Sequence, residues 1–121
     1  MKKIAVLFAF ILLTGFGCAT TPQSAQQSVF AAKQSYAVAL SVAVVYKKLP
    51  VCGTAGATAV CSKPDVVATL QKVDNASSAL LDGAENTVRM EGSGKNVETA
   101  IKAATEAVQA FTTITAALTI K

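Results

Sequence analysis

The chain contains no histidine and no tryptophan, and only three prolines in 121 residues. Without histidine, the residue most often recruited for general acid–base work is missing. A zinc site would have to be built from cysteine and carboxylate alone. Few prolines, abundant alanine and threonine and no tryptophan favour closely approaching helices over a β-sandwich. Charge is also sparse, at 15% of residues. Setting aside Lys2 and Lys3 leaves nine basic and seven acidic residues, a net of +2. The basic residues form no run, so nothing points to a nucleic-acid partner. Ser-x-x-Lys and Gly-x-Ser-x-Gly nucleophile motifs are absent from the sequence.

The first seventeen residues read as a leader. Lys2 and Lys3 make a positive start, Ile4 to Leu13 an apolar stretch, and Thr14-Gly15-Phe16-Gly17 a small-residue exit. That order is the pattern of a secretory signal peptide. Even counted on through the exit to Gly17, this run of about 14 residues falls short of the ~20 needed to span a bilayer as a helix.

Thr14-Gly15-Phe16-Gly17-Cys18 resembles a lipobox, the site of bacterial lipoproteins that is cut once the cysteine thiol is acylated. Gly17 and Cys18 match the pattern; Gly15 stands where leucine is usual, with Leu13 close by. The resemblance implies a diacylglycerol and an N-acyl chain on Cys18, and no cofactor is expected besides. It also implies outer-membrane sorting, because Ala19 replaces the aspartate that retains such proteins in the inner membrane. Two signals are what stable lipid anchoring requires. Gly15 and Gly17 equally satisfy the small-x-small rule of ordinary signal peptidase, which would release a soluble chain starting at Cys18. The expected organisation is a signal peptide over 1–17, a lipidated tether over 18–23 and a helical periplasmic domain over 24–121.

Three cysteines is an odd number. If Cys18 takes lipid, Cys52 and Cys61 remain as a pair in an oxidising compartment where disulfides persist. The eight residues between them include two glycines and three alanines, so the loop closes easily. Loop-closure entropy for such a ring gives roughly 2.5 to 3 kcal/mol of stabilisation. A zinc site lacks further ligands, and a redox pair would more naturally be Cys-x-x-Cys.

Three helical stretches follow. The first opens at Thr21-Pro22, with Ser24 and Gln27 as a capping box, and carries Val29, Tyr36, Leu40, Ala43 and Val44 at helical spacing. Residues 36–46 are almost wholly apolar, which predicts burial on more than one side. Lys47 and Lys48 suit its C-terminus, and Pro50 stops it. The second begins with Ser62 as cap, Pro64 in the first turn and Asp65 near the positive end of the dipole. Its apolar face is Val66, Val67, Leu70, Val73, Leu80, Leu81, Ala84 and Val88, with Gly83 as a kink or close contact. The third carries Val97, Ile101, Ala104, Val108, Phe111, Thr115 and Leu118 at alternating spacings of four and three, a heptad seam. Packing three such stripes together predicts an all-α, up-down-up three-helix bundle, with the disulfide in the first turn-around. A helical hairpin that oligomerises through the third seam is the alternative.

Candidate chemistry is thin. Asp74, Ser78 and Asp82 line up at four-residue spacing beside Glu85 and read as a solvated face. Gly92-Ser93-Gly94-Lys95 fails as a phosphate loop, because Arg89 and Asn96 stand where glycine and a metal-binding hydroxyl are needed. Asn75-Ala76-Ser77 matches a glycosylation sequon but falls mid-helix. Tyr36 and Tyr46 read as core edge. The expectation is a non-enzymatic lipoprotein on the periplasmic face of the outer membrane, holding an envelope protein partner. The chain as a whole resembles small helical lipoproteins of proteobacteria and their prophages. That resemblance implies, as one alternative, a prophage product that blocks superinfection at an outer-membrane receptor. The chain also resembles pilotins in size, anchor, helicity and disulfide, which implies, as another alternative, a secretin chaperone that grips a helix.

Overall fold

Thr21 starts the first helix because Pro22 follows it. Proline's fixed φ and missing N–H suit the first helical position, so the residue before it becomes the cap. A computed structural model describes residues 21–57 and 59–119, and places α1 over Pro22–Lys47. The capping box is Thr21 with Ser24, not Ser24 with Gln27: Thr21 Oγ1 accepts from the Ser24 N–H, and Ser24 Oγ accepts from the Thr21 N–H. Pro22 and Gln23, expected in the tether, are therefore helical. α1 ends at Lys47, three residues before Pro50.

α2 covers Pro64–Glu91 and α3 covers Lys95–Thr119. The described chain is 80% helical and contains no strand. Lys63, not Ser62, occupies the cap position of α2 and makes no side-chain cap bond. Ser62 is instead buried at the base of the loop, where its hydroxyl donates to the Leu49 carbonyl at 2.9 Å. Gly92 ends α2 at φ 72°, a conformation that favours glycine, and its N–H donates to the Val88 carbonyl. A Cβ on Gly92 would lie 3.6 Å from the Pro22 ring, so the α2–α3 turn rests against the start of α1.

The direction of each helix follows from what its ends bury. Ala25 and Val29 share a core cluster with Ala84 and Val88, and with Val97 and Ile101. The start of α1 thus meets the end of α2 and the start of α3: an up-down-up bundle. At the other end Ala39 and Ala43 meet Leu70 and Phe111. In α3 the seam runs as spaced, with Val97, Ile101, Ala104, Val108, Phe111 and Thr115 all buried against helices of the same chain. Thr115 turns its hydroxyl back to the Phe111 carbonyl, which is why a polar residue fits there.

α1 has a second heptad seam, made mostly of alanine: Ala25, Val29, Ala32, Tyr36, Ala39, Ala43 and Tyr46, of which the two tyrosines are half-buried. Small side chains on this face allow close helix approach. α2 follows the same rhythm through Val66, Leu70, Val73 and Ser77, then steps four to Leu81 instead of three to Leu80. A straight helix drifts against a strict heptad, and an extra four-residue step absorbs that drift. Leu80 is left 40% exposed in consequence, correcting its place on the apolar face. Ser77, fully buried, marks the step and donates to the Ala107 carbonyl of α3 at 3.2 Å. Gly83 has nothing within 4 Å of a built Cβ, so it marks no close contact.

Candidate functional surface

Cys18 lies outside the described residues. Cys52 and Cys61 are joined, with Cα atoms 5.0 Å apart, in the loop between α1 and α2. The base of this loop is tied beyond the sulfurs. The Cys52 N–H donates to the Ser62 carbonyl and the Ser62 N–H to the Pro50 carbonyl, both at 2.9 Å. Tyr46, near the end of α1, accepts from the Lys63 N–H at 3.0 Å and so couples α1 to the start of α2. Gly53 and Gly56 take the positive-φ turns that let the ring close.

The carboxylate row on α2 is not simply a solvated face: Asp74, Ser78 and Glu85 are half-buried. Asp74 accepts a hydrogen bond from the Tyr36 hydroxyl on α1. Burial and the Asp74 carboxylate together hold the Tyr36 phenol above its ordinary value of 10.0, against a smaller opposing bond to Ser78. Glu85 sits between Lys33 of α1 and Arg89 of its own helix. Hydrogen bonding and attraction to Lys33 pull the Glu85 carboxyl below its ordinary 4.5. Both carboxylates therefore act as bridges across the α1–α2 seam, and Asp82 remains exposed. Lys33, unmarked in the sequence, is the bridging residue the spacing did not point to. No cluster of three or more potential metal ligands occurs among the described residues.

The α1–α2 seam is the loosest of the three, since each helix packs more closely on α3. Two open clefts lie along it. One, of about 260 Å³, is flanked by Val29, Phe30, Val88 and the Lys33–Glu85 bridge. The other, of about 310 Å³, is lined by Leu40, Val44, Val67 and Leu70 with Asp74 at its edge.

The largest departure from sequence expectation is the outer face of α1. Residues 36–46 are not buried on two sides. Val38 is 68% exposed and Val45 64%, with Phe30 at 63% on the same stripe, opposite the alanine seam. The only polar side chains on this stripe before Lys48 are uncharged: Gln23, Gln27, Gln34 and Ser41, all exposed. Charge is also segregated along the chain. All seven carboxylates lie between Asp65 and Glu106, so neither α1 nor the disulfide loop contains one. Lys47, Lys48 and Lys63 cluster at the loop end of the bundle, exposed. By length and composition alone α1 is apolar enough to cross a bilayer.

Gly92-Ser93-Gly94-Lys95 is a helix-breaking turn with positive φ at both glycines. Comparison of the chain with known protein families, curated proteins and solved structures gives no match.

Proposed function

We propose that the protein is a small bacterial envelope lipoprotein, held by acyl chains on Cys18 at the periplasmic face of the outer membrane, with a non-catalytic structural or binding role. The observation that carries this reading is the Cys52–Cys61 bond. It consumes two of the three cysteines, leaving Cys18 at the end of the leader for a different chemistry, and it suits an exported chain. Asp74 and Glu85, carboxylates of the row on α2, are engaged with Tyr36 and Lys33 in holding α1 to α2. An exposed helical surface held at a membrane acts through contact with a partner in the envelope.

Fractionation of cells expressing the chain tests this reading. The wild type is expected in the outer-membrane fraction, resistant to high-salt wash and released by detergent. Cys18→Ser is expected to leave that fraction. Identical distribution of the two proteins would refute the anchor.

A further inference from the structure

We propose that α1 lies flat on the anionic phospholipid leaflet holding the Cys18 anchor, with Phe30, Val38, Val44 and Val45 entering the headgroup boundary; this deepens, and rests on, the anchored reading above. Three observations converge on it. The outer stripe of α1 is apolar and exposed along a 26-residue helix, about 39 Å long at 1.5 Å per residue. The same helix and the loop after it carry lysines and no carboxylate, while the acidic residues all lie on α2 and α3. That polarity complements a negative lipid surface. Only Ala19 and Thr20 separate Cys18 from Thr21, a reach of about 10 Å at full extension. An acylated Cys18 therefore holds the start of α1 at the leaflet, and Lys47 and Lys48 sit at the helix's far end.

The alternatives fit the surface less well. Two copies meeting through this face would offer Lys47 and Lys48 no carboxylate on either α1 to pair with. A spanning α1 would have to withdraw Ala25, Val29, Ala32, Ala39 and Ala43 from the core that they form with α2 and α3. A helix with one face in a bundle and the other apolar, fringed by glutamines and ended by lysines, is suited to an interface.

The absence of tryptophan makes the test clean. Val38→Trp and Val45→Trp, with Met90→Trp on the exposed surface of α2 as control, are prepared as mature full chains in phosphatidylethanolamine–phosphatidylglycerol vesicles. Each is checked by intact mass for acylation. Brominated phospholipid is expected to quench the two α1 tryptophans about twofold or more beyond the control, and acrylamide to quench them less. Acylated protein whose α1 tryptophans are as open to acrylamide as the control overturns the membrane contact but leaves the anchor standing. Shielding from acrylamide without quenching by bromolipid means a protein surface covers α1, and also overturns it. Protein lacking the acyl mass overturns both readings.

Discussion

The Tyr36 hydroxyl donates to Asp74 across the α1–α2 seam, while the Tyr36 ring tilts against Phe111 of α3 with centroids 5.7 Å apart. One side chain thus joins all three helices, apolar on one side and polar on the other. Burial and Asp74 both favour the neutral phenol. A raised folded-state pKa means this contribution is intact below pH 10.0 and is lost as pH rises through the folded value. In Asp74→Asn the phenol is expected to ionise at lower pH, followed by absorbance near 295 nm. An unchanged titration would contradict the assigned role of Asp74.

The Lys33–Glu85 bridge works in the opposite pH direction. Because the Glu85 carboxyl is lowered, its contribution is present above 4.5 and disappears as pH falls through the folded value. Urea midpoints measured across that range are expected to fall less steeply for Glu85→Gln than for the wild type. The difference should shrink in high salt, since both partners are well exposed to screening.

Among the described residues Phe111 is the largest fully buried side chain, at 0% exposure. Phe111→Ala is expected to cost about 3–5 kcal/mol in urea unfolding, the range for truncating a core aromatic. Against a typical domain stability of about 5–15 kcal/mol, that loss leaves a marginal fold. Ser77→Leu is expected to cost about 1–3 kcal/mol by overpacking the α2–α3 approach.

Cys52→Ser/Cys61→Ser should lose about 2–3 kcal/mol, or on the order of 10 °C in Tm, without losing helicity. Helicity survives because the bridge closes the loop between α1 and α2 and supports no helix interior. The hydrogen bonds among Pro50, Cys52 and Ser62 should keep the loss toward the lower value. Thermal melts followed at 222 nm with and without reductant check both expectations.

Gly83 stands inside α2 with open space around it. Gly83→Ala is expected to stabilise the protein by about 0.5–1 kcal/mol by restricting the unfolded chain and favouring helix. A loss of stability would reveal a contact at Gly83 that the bundle does not show.

The parts of this fold legible in the sequence are those set by local spacing. The α3 seam could be read because its bulky residues recur at four and three with polar residues between. The Cys52–Cys61 pair followed from counting sulfurs and from a short, flexible loop. α1 resisted the same reading because alanine and valine occupy both of its faces. Which face is buried depends on the neighbours, not on α1 itself. Leu80 and Leu81 are equally apolar, and only the drift of α2 against its partners selects Leu81. Ser77 was invisible to a hydrophobic pattern because it is buried for being small. Tyr36–Asp74 and Lys33–Glu85 join residues 38 and 52 apart, so they depend on the mutual register of two helices, which neither helix encodes alone.

The envelope assignment turns on the state of one sulfur, that of Cys18. Intact mass of the chain purified from envelopes measures it directly. The expected species is a polypeptide starting at Cys18, two mass units lighter for the Cys52–Cys61 bond and heavier by a diacylglyceryl group and an N-acyl chain. A mass equal to the unmodified chain, whether starting at Met1 or at Cys18, would contradict it.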